Sequence, residues 1–173
     1  MNKNDILTLH EYNCWANARV LNAAAKLAPD QFTAPVGLSH GSVRGALVHI
    51  LGAEMVWRSR CAEGISPSAL PDEAGFPTLD MLRELWLDEE QKMRAYLNSL
   101  SDEALHQTVQ YKTTTGVPFE NVLWNLLAHV VNHGTQFRAE AGIALTAYGQ
   151  SPGDLDLLLY FREKTPYPKR KLL

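Results

Sequence analysis

The chain has 173 residues, of which 46% are hydrophobic and 20% are charged, and it carries a formal net charge of −3. This composition excludes a disordered chain and predicts one globular domain, which we expect over residues 1–165 with a short basic tail over residues 166–173. The sequence indicates no basic surface for nucleic acid, no run of about 18 apolar residues for a membrane helix and no signal peptide, so we expect a cytoplasmic protein.

Two amphipathic helices are predicted in the first part of the chain. The first begins near Asp5 and ends near Pro29, with apolar residues recurring along one face. The second begins after Ser42, a favourable N-terminal cap, and continues to about Glu63, where Gly64 is suited to end it. The loop that follows is rich in proline and glycine and is long enough to help form the wall of a site.

Two further amphipathic helices are predicted in the second half of the chain. The third runs from Thr78 to about Leu100, and residues 107–116 favour an extended segment or a small hairpin. Pro118 suits the first turn of a fourth helix that runs to about Leu145. These elements predict an all-α fold, a four-helix bundle with a short extended or hairpin segment before the fourth helix.

A pair of histidines, His129 and His133, lies at the centre of the fourth predicted helix. Four helical residues make just over one turn, so both imidazoles project from one face and one metal ion can join them. Position 130 is Val130 rather than glutamate, which disfavours a zincin-type protease. Catalytic zinc usually takes three protein ligands, so the significance of the pair depends on a third.

The third ligand that the sequence favours is His49, in the middle of the second predicted helix. On a helical wheel it is flanked by Gly45, Ala46, Gly52 and Ala53. Glycine in a helix interior costs about 1 kcal/mol relative to alanine, so two glycines beside one histidine call for a reason. Small neighbours leave room for another helix or a bound ligand. The alternative is a buried histidine hydrogen-bonded to a carbonyl at a tight helix crossing.

The other three histidines are expected to stay outside the site. His10 lies off the apolar face of the first helix, His40 belongs to a loop, and His106 follows a charged surface turn. Convergence of the remaining three imidazoles predicts a divalent-metal site with open coordination positions, for which zinc and nickel are the favoured ions. The predicted metal ligands are His49, His129 and His133.

Polar residues also occur on faces that should be buried. Glu89 is central on the apolar face of the third helix, where a carboxylate is costly unless it has a partner. It is suited to orient a ligand histidine or to act as an acid–base catalyst at the metal. The alternative is a salt bridge at the end of the bundle. Asn13 shares the apolar face of the first helix and is suited to hydrogen-bond a ligand imidazole or a backbone carbonyl. Arg138 and Glu140 lie beyond the histidine pair, suited either to bind an anionic group at the pocket mouth or to pair with neighbouring helices.

Three segments together resemble the DinB (damage-inducible) family and the wider DinB/YfiT-like superfamily. They are residues 12–17 (YNCWAN), 41–54 (GSVRGALVHILGAE) and 127–135 (LAHVVNHGT), followed by Arg138, and the resemblance extends over about residues 4–162. The resemblance implies an up-up-down-down four-helix bundle, usually a homodimer, with a divalent metal on three histidines. By that motif His49, His129 and His133 are the ligands.

One position departs from the pattern of many relatives, which have a histidine where this chain has Phe137. We therefore expect a more apolar pocket beside the metal. Characterised relatives include thiol transferases that use bacillithiol or mycothiol, and a mycothiol-dependent maleylpyruvate isomerase. The resemblance thus implies a metal-dependent enzyme, such as a low-molecular-weight-thiol S-transferase with a small-molecule substrate. From its position beyond the histidine pair, Arg138 is the candidate residue for binding the cofactor. The alternatives are a hydrolase that uses metal-bound hydroxide with Glu89 as proton shuttle, and a non-catalytic metal-binding stress-response protein.

Overall fold

The computed structural model describes residues 1–164, which are predominantly helical with one small antiparallel sheet. In chain order the elements are α1 (Lys3–Ala24), α2 (Pro29–Thr33), α3 (Val43–Arg58), α4 (Leu79–Ser99), α5 (Asp102–Leu105), β1 (Thr108–Lys112), β2 (Pro118–Val122), α6 (Leu123–Ala147) and α7 (Leu157–Lys164). A π-helical turn, Ser59–Glu63, continues α3. Across residues 1–164, no helix is long and apolar enough to cross a membrane. The predicted basic tail over residues 166–173 lies outside the described residues.

Each of the four long helices packs against two of the others. Helix α1 contacts α4 and α6, and α3 contacts the same two helices. The side chains between them are mostly aliphatic, and the largest that are fully buried belong to all four helices. They include Val20, Leu47, Ile50, Leu51, Leu82, Trp86 and Leu145. The amphipathic patterns of the sequence therefore mark the faces that form the core.

Contacts at both ends of α1 and α4 show that these helices are antiparallel. Near the start of α1, the Lys3 ammonium donates to the backbone oxygen of Asn98 at the end of α4, with a separation of 2.6 Å. Near the end of α1, Asn22 accepts a hydrogen bond from Arg83 at the start of α4. The two helices therefore run in opposite directions along their whole length.

Helix α3 is parallel to α4 and antiparallel to α6. The α3–α4 hydrogen bonds join Glu54 to Trp86 and Glu89 to Arg58. The α3–α6 contacts join His49 to His133 and Trp57 to His129. Taken in chain order, the long helices run up, down, down and up.

The expected up-up-down-down order is therefore wrong. The chain between α1 and α3 forms α2 and then a tight turn, in which the Val36 amide donates to the Gly41 carbonyl at 2.8 Å. This compact connection returns the chain at the same end of the molecule, so α3 must run opposite to α1. The more irregular connection before α4 then carries the chain back to the end at which α3 began.

The predicted hairpin exists, but it extends further than expected. Strands β1 and β2 pair from Thr108 opposite Val122 to Lys112 opposite Pro118. The assignment of Pro118 to the first turn of the fourth helix is therefore wrong, since α6 begins at Leu123. Proline at the end of a strand in a two-stranded sheet loses no essential ladder hydrogen bond, which allows this position.

Candidate metal centre and pocket

Helix α3 carries His49 where two connecting segments pass close to its backbone. The Ser42 hydroxyl caps the helix by accepting the Gly45 N–H at 2.9 Å. A Cβ atom on Gly45 would lie 2.0 Å from the backbone oxygen of His40, and one on Gly52 would lie 2.8 Å from the Pro71 ring. The close approach expected at these glycines is therefore made by loops, rather than by another helix or a ligand.

The structure brings two of the three predicted ligands into contact. The Nε2 atoms of His49 and His133 are 3.1 Å apart, and the ring centroids are 4.9 Å apart. If each nitrogen were about 2.05 Å from one ion, this separation would correspond to an angle of roughly 100° at the ion. These two imidazoles therefore fit a shared divalent metal.

The third predicted ligand, His129, lies one turn away on α6. Its ring is 5.7 Å from that of His133 and meets the Trp57 indole edge to face at 5.2 Å. Its side chain is exposed, whereas His49 and His133 are partly buried. Within residues 1–164, no three His, Cys, Asp or Glu side chains are already arranged as a metal-binding group. Two of the predicted ligands are thus in contact and the third is adjacent.

Both contacting histidines are in the form that binds metals. Burial, assisted by the nearby His40, lowers the pKa of His49 to about 4. Burial also lowers the pKa of His133 to about 4, assisted by the neighbouring histidines. Both rings are therefore neutral at physiological pH, as a metal ligand requires.

His40 belongs to this site, contrary to the expectation that it would stay outside. Its ring stacks on that of His49, with centroids 3.7 Å apart and planes inclined by 18°. The turn from Val36 to Gly41 carries His40 onto the start of α3. Helical periodicity holds no information about a loop residue, so the sequence offered no signal for this contact.

Phe137 also packs directly against the histidines. Its ring centroid is 4.4 Å from that of His49 and 4.6 Å from that of His133. Phe137 therefore places an apolar ring against the two imidazoles, which agrees with the expectation of more apolar surroundings at this position.

The histidines open into a cavity of about 310 Å³. Aromatic side chains from α3 and the hairpin form much of its wall: Trp57, Tyr111 and Phe119. The sequence predicted that the proline-rich loop would help form the wall, and Leu70 of that loop does line the cavity. The hairpin contribution was not anticipated, because it depends on how the sheet packs against the helices.

Glu89 is buried but does not line the histidine cavity. Its carboxylate accepts a hydrogen bond from Arg58 Nε at 2.6 Å, and Arg58 also pairs with Glu63. Burial raises the pKa of Glu89, and Arg58 acts in the opposite direction. The salt-bridge alternative therefore describes its environment, and no described contact joins Glu89 to a histidine.

Arg138 lies in the interior, where two asparagine amides connect it to a carboxylate. Arg138 Nη1 donates to the side-chain oxygens of Asn13 and Asn17 at 2.6 and 2.8 Å. The two amide nitrogens donate in turn to Glu54 Oε1 at 2.7 and 2.9 Å, and Trp86 donates to Oε2 at 2.9 Å. Arg138 is only 1% exposed and does not line the histidine cavity.

The sequence reasoning singled out Asn13 and Arg138 but missed Glu54 and Asn17. Asn13 was expected to hydrogen-bond either a ligand imidazole or a backbone carbonyl. Its partners are instead the side chains of Glu54 and Arg138. Glu54 interrupts the apolar run of α3 and was the one available signal. Its significance depends on α1 and α6, which only the folded chain brings together.

His10 is buried, which corrects the expectation that it lies off the packed face of α1. Its Nε2 is 3.5 Å from Cys14 Sγ, and it is 8% exposed. Burial lowers its pKa from 6.5 to about 4, with a smaller effect of Arg94 in the same direction and of Glu11 in the opposite one. His106, by contrast, is exposed as expected.

A His10→Gln variant is expected to lose less stability on acidification than the wild type. The unfolded chain binds a proton at His10 below pH 6.5, while the folded chain does so only near pH 4, so stability falls as pH decreases between these values. Between pH 7 and 5 the difference should be about 1–2 kcal/mol. Urea unfolding at both pH values measures it.

The matched control is Glu90→Gln, because Glu90 lies near His10 and its pKa is raised by burial to about 7. Its folded carboxyl holds a proton that the unfolded one has lost, so the wild-type side chain reduces stability as pH rises from 4.5 to 7. The two variants should therefore change the pH dependence in opposite directions. Identical unfolding profiles for wild type and His10→Gln would contradict the assignment.

The fold and the site define a class: a predominantly helical protein with a histidine-lined pocket between two antiparallel helices. The family model described as the DinB family matches residues 1–170, and the chain belongs to this family. It is similar to "Protein DinB" of Bacillus subtilis (strain 168), with 23% identity over 160 residues, which cover 88% of this chain and 92% of that protein.

Proposed function

We propose that this protein is a divalent-metal-dependent enzyme that transfers a low-molecular-weight thiol to an electrophilic small molecule. The observation that carries the proposal is the 3.1 Å contact between the Nε2 atoms of His49 and His133 at the wall of a cavity. With His129 they would hold zinc or nickel. When bound there, the ion would lower the pKa of a thiol and stabilise its thiolate.

The cavity supports an external thiol because no protein thiol is available there. Neither cysteine lines the cavity; Cys14 is buried and Cys61 is partly buried. Burial raises the pKa of Cys14 far above its usual range and that of Cys61 to about 12, so both remain protonated. The resemblance to the DinB/YfiT-like superfamily implies the same class of cofactor.

The hydrolase alternative receives less support from the geometry. It uses Glu89 as a proton shuttle, but that carboxylate accepts a hydrogen bond from Arg58. The cavity is lined by histidine, arginine, tyrosine, threonine and apolar residues, with no carboxylate among its described lining. A metal-bound hydroxide would therefore lack a neighbouring general base.

We also infer that the four long helices form the closed bundle that the family implies, in the up-down-down-up order given by their contacts. The pairing of α1 and α3 with both α4 and α6 supports a ring of four helices. This arrangement holds His49 and His133 on facing antiparallel helices, so that the pocket chemistry rests on rigid elements.

The metal-loaded protein is expected to conjugate a thiol to 1-chloro-2,4-dinitrobenzene at least about a hundredfold faster than the uncatalysed reaction. Bacillithiol, mycothiol and glutathione are tested separately, and conjugate formation is followed spectrophotometrically. His133→Ala should remove the acceleration, while His106→Ala, which alters an exposed histidine, should retain it. The proposal would be contradicted if the metal-loaded protein neither binds nor conjugates any of the three thiols.

A further inference from the structure

One arginine in the histidine cavity is buried without an ion-pair or hydrogen-bond partner. Arg60 lies in the π-helical turn that follows α3 and is 6% exposed. Its guanidinium carbon is 4.7 Å from the Trp57 ring centroid and 5.3 Å from that of Tyr111. The side chain lines the same cavity as His49, His129 and His133. π-Helical turns inside helices occur frequently at functional sites.

Within residues 1–164, Arg60 forms no ion pair or hydrogen bond, and its buried Nε has no acceptor. Arg58, two residues earlier, pairs with both Glu63 and Glu89. The carboxylates beside this turn are thus engaged by another arginine. Burial lowers the pKa of Arg60, which reflects the cost of keeping its charge away from water. The two aromatic rings offset part of the cost of the Arg60 charge, but no anion among the described residues neutralises it.

We propose that Arg60 binds the carboxylate of an apolar small-molecule substrate in the histidine cavity. The planar guanidinium presents donors that match a carboxylate, which compensates its charge. The cavity of about 310 Å³ has Trp57, Tyr111 and Phe119 in its walls, which suits a compact apolar or aromatic body. A single cation in the described lining matches a singly charged group. This inference rests on the cavity being the substrate site of the proposed function.

Binding to metal-free protein tests the inference without requiring metal or thiol transfer. The two ligands are 4-phenylbutanoate and its uncharged analogue 4-phenylbutanamide, titrated after any chelator has been removed by gel filtration. Affinity is measured by calorimetry, and the arginine Nε–H signals are followed by ¹H–¹⁵N NMR. Wild-type protein should bind the carboxylate at least about tenfold more tightly than the amide. The Arg60 signal, assigned with Arg60→Lys, should shift on binding.

Arg60→Gln should bind both compounds with nearly equal affinity, while Arg60→Lys should keep part of the preference. The matched control is Arg19→Gln, because Arg19 also lies over a tryptophan, 5.0 Å from the Trp15 ring centroid, but outside the cavity. It should keep the full preference. If Arg60→Gln does not fold, the wild-type preference and the Arg60 chemical shift still decide the question.

Equal affinity of wild-type protein for the two compounds would overturn the inference, as would an unchanged carboxylate preference in Arg60→Gln. These outcomes are separable from failure of the proposed function. A protein that binds no metal can still show the carboxylate preference, whereas a metal-loaded thiol transferase without that preference would contradict only the role of Arg60.

Discussion

Replacing His49 with alanine is expected to weaken divalent-metal binding by about a hundredfold or more. His49 supplies one of the two imidazole nitrogens that lie 3.1 Å apart, and an ion left with two ligands loses the three-ligand set typical of catalytic zinc. Protein purified without a histidine tag should contain close to one equivalent of zinc or nickel. Elemental analysis of wild type and His49→Ala measures the difference.

The matched control is His106→Ala, which removes an exposed histidine and should keep the full metal content. His129→Ala tests the predicted ligand that the structure places adjacent to the contacting pair. It should reduce metal content as strongly as His49→Ala if all three imidazoles bind one ion. A full metal complement in His49→Ala would contradict the assignment of the centre.

Replacing Arg138 with methionine is expected to destabilise the fold by about 3–5 kcal/mol. The variant leaves the side-chain oxygens of Asn13 and Asn17 without their donor and removes the positive charge that compensates Glu54. Burial raises the pKa of Glu54, so its charge is already costly in the wild type. Urea unfolding at neutral pH measures the loss.

Arg19→Met provides the comparison, because Arg19 is partly exposed and pairs with the exposed Glu163. Loss of such a surface pair should cost no more than about 1 kcal/mol. Adding Glu54→Gln to Arg138→Met should restore part of the stability, since it removes the uncompensated carboxylate. A loss below about 1 kcal/mol in Arg138→Met would show that the network contributes little.

The buried network also lies next to the histidine pair along α6. A Cβ atom on Gly134 would lie 2.6 Å from Arg138 Nη1 and 2.9 Å from Asn13 Oδ1. The absence of a side chain at this position, immediately after His133, allows α1 and the arginine to pack closely against α6. The network therefore constrains the helix that carries His133, although Arg138 itself does not line the cavity.

Local pattern was sufficient to identify the long helices and the three candidate ligands. The spacing of His129 and His133 places both on one face of α6, and the small residues around His49 marked a region of close approach on α3. These properties depend on helical geometry and on residue size, which are readable from neighbouring positions in the chain. The residues that resemble the DinB family were in the same segments.

The choice between alternatives for single polar residues needed the folded chain. For Glu89 the sequence left open a histidine partner and a salt bridge, and the position of Arg58 on the parallel helix decided for the salt bridge. Arg138 was suited either to an anionic group at the pocket mouth or to pairing with neighbouring helices, and two asparagines of α1 hold it inside. A partner on another helix cannot be read from the periodicity of one helix.

By itself the sequence thus determined a predominantly helical frame and a histidine pair on one helix face, together with a third inward histidine. Only the tertiary structure decided the up-down-down-up order, the stacking of His40 on His49, and the burial of Arg60 without an ion-pair or hydrogen-bond partner. The physical reason is the range of the interactions. Helix faces follow from residues a few positions apart, whereas helix order, loop contacts and unpaired charges depend on segments that meet only after folding.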